Sequence, residues 1–210
     1  VSFRTKENST WAEAGTELAW GQTVIRREDK DASERPCCAE AIRRMQIIRG
    51  AWNLGVHGEN FDVLFSTLHG GLVSYRYAGK ELLKASPRPN FWRAMTDNDL
   101  GCTFPQSAAP WRSAGLYATT KYASGRRVTE YEVSEDENAI TITYTYHLAT
   151  IPAKDCFVSY TVTADGEVRV KQQMEASAEV GELPEFSMLF TLDGRQDQLR
   201  WYGPGPDETY

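Results

Sequence analysis

The sequence predicts an all-β protein organised as a large antiparallel sandwich. Three observations carry this: apolar and polar residues alternate along most of the chain, glycine-bearing turns separate the alternating runs, and one short stretch alone reads as helical. In chain order, strands are expected at 18–25 and 44–48. A hairpin follows, running from 61–65 through His69-Gly70-Gly71 into 72–75. Residues 111–119, after Pro110, read as the helix. A strand at 128–133 precedes the clearest one, at 139–149. There Ile140, Ile142, Tyr144, Tyr146 and Leu148 share one face, and Thr141, Thr143, Thr145 and His147 share the other. Runs at 157–163 and 167–174 are joined by Ala164-Asp165-Gly166, whose Asp-Gly pair tolerates positive φ, and a last strand is expected at 186–192. Residues 26–39 are charged, contain Pro36 and show no apolar period, so they read as a linker. The chain divides on this reading into 1–40, the end of one β-domain, and 41–210, a second.

Composition narrows the functional classes. Of 210 residues 41% are hydrophobic and 25% charged, which excludes disordered, collagen-like and coiled-coil classes. The 23 basic and 29 acidic residues leave a net charge of −6 without a basic cluster, which speaks against nucleic acid or an anionic membrane as partner. The four cysteines, Cys37, Cys38, Cys102 and Cys156, form no C-x-x-C, so neither a metal nor a disulfide framework is expected, and a reducing, cytoplasmic compartment fits them. No apolar run approaches the ~20 residues of a membrane helix. The chain opens at Val1 as if within a strand and stops at Tyr210 after a Gly-Pro-rich turn, so both ends read as interior to a longer polypeptide.

One segment breaks the alternation: Arg88-Pro89-Asn90-Phe91-Trp92-Arg93-Ala94-Met95-Thr96-Asp97-Asn98-Asp99-Leu100-Gly101. Three readings stand on its local chemistry. It is a structural turn in which Arg93 neutralises Asp97 or Asp99; or a Ca²⁺ loop, for which it lacks alternating oxygen ligands and a closing glutamate; or an anchored turn that fixes one end of a gating loop over 101–110. Elsewhere, the glycines and prolines of 201–206 read as a corner, and Tyr144 and Tyr146 as core rather than a sugar platform. His57, His69 and His147 are the only histidines and give little basis for catalysis.

The sequence RPNFWRAMTDNDLG resembles a signature in the C-terminal region of large β-galactosidases of glycoside hydrolase family 2. Three more stretches agree in order and spacing. Trp11-Ala12-Glu13-Ala14-Gly15 with residues 17–22 resembles the last strands of that family's second immunoglobulin-like domain. Trp111-Arg112-Ser113-Ala114-Gly115-Leu116 resembles its short helix. Leu183-Pro184-Glu185-Phe186-Ser187-Met188, followed by Trp201-Tyr202-Gly203-Pro204-Gly205-Pro206-Asp207-Glu208-Thr209-Tyr210, is similar to its LPR-type strand and WxGxGPxExY motif. The sequence departs from the family pattern at Met95, where proline is common, at Glu185, where arginine is usual, and at Thr209, where asparagine is common.

The resemblance implies the first part of a mutarotase-like supersandwich over 41–210, preceded by the end of an immunoglobulin-like sandwich and a linker over 1–40. It implies a parent enzyme that hydrolyses terminal β-galactosides with retention, using two glutamates roughly 5–5.5 Å apart in a (β/α)₈ barrel. This chain shows no β/α alternation and no Asn-Glu dipeptide, the pair that carries the family's acid/base, so no catalytic residue is expected within it. Mg²⁺ and Na⁺ are implied for the parent's barrel, not here. By position, Gly101 would be the hinge of a loop bordering the galactose pocket, with Cys102, Thr103 and Phe104 moving. Arg93, Asp97, Asn98 and Asp99 would anchor its base. The implied partners are a β-galactoside, the barrel of the same polypeptide and a homo-oligomer. A free-standing carbohydrate-binding module and a mutarotase-like enzyme are the competing readings.

Overall fold

The structure, a computed structural model, describes residues 1–21, 23, 45–120, 129–136, 138–175 and 178–200. The chain falls into two compact units, Val1–Pro36 and Cys37–Tyr210. The expected linker over 26–39, Cys37 and Cys38, and the motif at 201–210 lie outside the described residues.

In the first unit, β1 (Ser2–Arg4) pairs antiparallel with β2 (Glu17–Trp20). Polar side chains shape the intervening turn: Thr5 Oγ1 donates to the Glu13 carbonyl (2.6 Å), and Asn8 Oδ1 accepts from the Ala14 amide (2.7 Å).

The second unit is an all-β sandwich. One sheet is a meander of β3 (Gln46–Arg49), β4 (Asn53–His57), β5 (Phe61–Ser66), β6 (Leu72–Tyr77) and β7 (Lys80–Glu81). A two-stranded ribbon joins β8 (Leu83–Asn90) to β14 (Ser187–Leu192). The other large sheet holds β10 (Tyr131–Asp136), β11 (Ala139–Leu148), β12 (Lys154–Thr163) and β13 (Val168–Met174), with β9 (Thr119–Thr120) also paired to β11.

The inward face of each sheet builds the core. Leu54, Val56, Phe61, Val63, Phe65 and Leu72 from the first sheet join Ile140, Ile142, Tyr144, Leu148, Val158, Tyr160 and Val162 from the second in one buried cluster. Each aliphatic or phenylalanine side chain of this cluster contributes about 1.5–3 kcal/mol on burial. Phe65 and Tyr160 meet across the sandwich with ring centroids 5.6 Å apart. The Tyr144 hydroxyl donates to the Ser66 carbonyl (3.1 Å), so the polar tip of this aromatic is satisfied inside the core. Burial pushes the Tyr146 hydroxyl up to about 12 and the Cys156 thiol up to about 11, so both stay neutral at physiological pH. Tyr144 and Tyr146 are thus core residues. On the outer face, register places Thr141 opposite Thr161 and Thr143 opposite Ser159, and each pair shares a 2.8 Å hydroxyl hydrogen bond. Arg49 on β3 ion-pairs with Glu135 on β10 and ties the two sheets together at one rim.

Turn chemistry follows the sequence. Gly166 closes the β12–β13 hairpin at φ +87°, and a Cβ there would stand 2.6 Å from the Phe61 ring, so conformation and space both require glycine.

The structure departs from the sequence reading in three places. Asn53–His57 is a strand, its Leu54-Gly55-Val56 run buried in the sheet. Leu83–Asn90 is a strand despite Pro87 and Pro89. Pro89 stands between Arg88 and Asn90, whose partners on β14 are Leu189 and Ser187, and Pro87 lies where the register shifts and three residues of β8 oppose two of β14, so each proline sits where a ladder donor can be spared. Finally, the loop expected over 101–110 contains a helical turn and the start of a helix. In this region α1 is Asp97–Leu100, α2 is Phe104–Ser107 and α3 is Ala109–Leu116, so the expected helix begins two residues earlier and ends three earlier than 111–119. Pro105 and Pro110 stand in the first turns of α2 and α3, where a missing N–H costs nothing.

Candidate functional site

Strand β8 delivers its C-terminal end into a small aromatic platform. Phe91 is fully buried and packs against Trp111 of α3 (5.7 Å) and Phe186 (6.0 Å). Trp111 Nε1 donates to the Gly181 carbonyl (3.2 Å) and so fixes α3 to the segment before β14. Asn90 Nδ2 donates to the Trp92 carbonyl (2.9 Å), Ser187 Oγ (3.1 Å) and Glu185 Oε2 (3.3 Å). The acidic residue at 185 therefore accepts from an amide, a role an arginine could not take. Trp92 is half-buried, with the Arg112 guanidinium 5.6 Å from its ring centroid.

On this platform stands α1, capped from both directions. Thr96 Oγ1 accepts from the Asp99 amide (3.3 Å), and the Asp99 carboxylate accepts from the Thr96 amide (2.9 Å), a reciprocal capping box. Arg93 adds a two-pronged pair to the same carboxylate, at 2.6 and 3.4 Å, and donates to the Ala94 carbonyl at 2.9 Å. The Arg93 hydrogen bond, then the Thr96 amide, hold the Asp99 carboxyl down at about 2.

Asp99, not Asp97, is thus the partner of Arg93. Asp97 and Asn98 occupy the exposed side of the same turn. Gly101 caps α1 at φ −76°, a conformation open to any residue, and its amide donates to the Asp97 carbonyl (3.0 Å). Cys102 is exposed, its thiol donating to the Asp99 carbonyl (3.3 Å). The Thr103 carbonyl accepts from the Gln106 and Ser107 amides and so starts α2. Phe104, half-buried, lies under the Arg93 guanidinium at 5.8 Å. Sequence reasoning missed this stacking, and it missed the Trp111–Gly181 tie. It missed the capping box too, although the Thr-x-x-Asp spacing at 96–99 is the signal that could have found it.

The pairing gives a pH prediction. Because its folded pKa is depressed, Asp99 adds stability that is complete above the ordinary carboxylate range, near ~3.9, and is lost as pH falls toward 2. Carboxyl-carbon NMR should find its midpoint near 2, and Arg93→Ala should raise it toward the ordinary range. An unmoved midpoint would show that Arg93 does not hold the carboxylate.

Among the described residues, no group of three or more His, Cys, Asp or Glu side chains converges to hold a metal ion, and no helix is long and apolar enough to cross a membrane.

The family described as β-galactosidase small chain matches residues 57–210. The chain belongs to the β-galactosidase small-chain family. Its relatives include a β-galactosidase of Halalkalibacterium halodurans, 38% identical over 98% of this chain and 19% of the relative. A β-galactosidase of Clostridium acetobutylicum is 35% identical over the whole of this chain and 22% of its own length. The β-galactosidase small subunit of Latilactobacillus sakei is 36% identical over 73% of this chain and 52% of the subunit. The chain therefore spans about a fifth of the first two relatives. The described small-chain residues include both the core of the sandwich and the capped turn.

Proposed function

We propose that this chain is the non-catalytic β-sandwich portion of a cytoplasmic β-galactosidase that hydrolyses terminal β-galactosides with retention. It buttresses the catalytic barrel of the same polypeptide and contributes residues 101–104 to the border of the galactose site. Arg93 and Asp99 fix the base of that border, with Asp97 and Asn98 on its exposed side. Residues 1–40 are the end of an immunoglobulin-like domain and 41–210 the first part of the large sandwich. The family match carries this reading, and the build of the segment supports it: a rigid, capped turn presents an exposed stretch, 101–103, at one end of a well-packed sandwich. Mg²⁺ and Na⁺ belong to the barrel on this reading.

The isolated 210-residue chain is expected to release no o-nitrophenol from o-nitrophenyl β-galactoside above a buffer blank. Turnover that exceeds the blank and saturates with substrate would place catalytic groups inside the chain and end the proposal. Calorimetric titration with galactose tests the competing binding-module reading, which requires millimolar or tighter affinity in the isolated chain.

A further inference from the structure

Strands β11, β12 and β13 place four polar side chains on the inward face of their sheet. Tyr146 stands opposite Cys156, and Gln172 stands opposite Val158. Tyr160 lies two residues beyond Val158 and shares its face. Cys156, Val158 and Tyr160 are fully buried, and Tyr146 is nearly so. Gln172 is half-buried as a residue but turns its amide nitrogen inward.

Two of these groups are unmatched. Tyr160 Oη and Gln172 Nε2 are both buried, and among the described residues neither meets a hydrogen-bond partner. Tyr144, in the same core, shows the usual solution, since its hydroxyl donates to the Ser66 carbonyl at 3.1 Å. Tyr160 instead faces the phenols of Tyr146 and Tyr144, which together with burial push its hydroxyl above the ordinary tyrosine range. Gln172 faces the Cys156 thiol, and a neutral sulfur is a poor acceptor for an amide. Both unmatched groups are donors that lack a good acceptor, and leaving either dry carries its full desolvation cost. At the Tyr146 end the neighbour is Gly71, where a Cβ would stand 3.1 Å from the Tyr146 hydroxyl. The absent side chain leaves that hydroxyl room, and the slight exposure of Tyr146 brings this end of the cluster to the surface.

We propose that Tyr160, Gln172, Tyr146 and Cys156 form a binding site for one water molecule inside the sandwich. The water accepts from the Tyr160 O–H and the Gln172 N–H, and it donates to Tyr146 Oη and Cys156 Sγ. About three such partners are typical of a buried water. Its structural effect falls on β13, the last strand of the sheet among those described. There the bridge adds an inward polar tie to the apolar contacts of Val168, Val170 and Met174.

The test uses the natural protein that carries this sequence. A crystal structure should place one ordered water about 2.7–3.2 Å from both Tyr160 Oη and Gln172 Nε2. No water at that position, or a direct Tyr160–Gln172 hydrogen bond, overturns the site. Hydrogen exchange separates a wet site from a dry one by sign. Tyr160→Phe keeps the ring and removes the hydroxyl. In a wet site the water and Gln172 lose a partner, and peptides covering Lys154–Thr163 and Val168–Met174 should exchange about three- to tenfold faster. In a dry site the same change removes an unmet donor, so unchanged or slower exchange in Y160F overturns the proposal. Gln172→Leu should also speed these peptides, and the Y160F/Q172L pair should exchange more slowly than the product of the two single effects, because both act on one water. Single effects that simply multiply would show that the two groups share no ligand.

Discussion

Trp111→Ala is expected to lower the unfolding free energy by about 3–5 kcal/mol, the range for a large aromatic truncated inside a packed core. Trp111 is 2% exposed, packs on Phe91 and spends its indole N–H on the Gly181 carbonyl. The substitution therefore leaves a cavity and an abandoned acceptor together. Urea unfolding should show the midpoint displaced by roughly 1.5–2.5 M if the slope is about 2 kcal/mol per molar. The slope itself should not change. A displacement under about 0.5 M would mean that α3 contributes little to the sandwich, and Trp111→Phe should recover most of the packing without the hydrogen bond.

Gly181→Ala is expected to cost about 2–3 kcal/mol, a large effect for one added methyl group. Gly181 has φ +91°, where an L-residue pays roughly 1–2 kcal/mol. The new Cβ would also stand 2.7 Å from the Ser107 carbonyl oxygen, a backbone atom with no side chain to swing aside. The strain must move the end of α2 or the turn at 181. Thermal unfolding should register the loss as a Tm lower by about 4–9 °C for a unit of this size. Retention of the original Tm would show that the turn shifts freely.

The sandwich was legible because its longest strands obey one rule. Ala139–Leu148 buries every second residue, and its partner Lys154–Thr163 does the same from Cys156 onward, so periodicity alone identifies the core face. Asn53–His57 escaped because a glycine between two apolar residues gives a run of three with no alternation. Leu83–Asn90 escaped because prolines argue against a strand unless they fall where a ladder donor can be spared, which sequence does not reveal. At the candidate site, charge arithmetic found that Arg93 needs an acidic partner. The choice of Asp99 over Asp97 depends on the direction in which α1 leaves its cap, a three-dimensional fact. Gly101, the expected hinge, has an ordinary backbone conformation here, and the glycine of this neighbourhood whose positive φ excludes side chains is Gly181, eighty residues away in sequence. The stacking of Phe104 under Arg93 carried no local signal, since an aromatic one residue before a proline is compatible with core, surface or loop.

The ribbon of β8 and β14 has unequal rims. Pro87 and Pro89 interrupt the backbone donors of β8, while β14 contains no proline and carries Leu189, Phe190 and Leu192, each more than 40% exposed. Of the two strands, β14 is therefore the one whose rim has an unbroken row of backbone groups. The inequality within the ribbon is written into the chain by two imino acids on one of its strands.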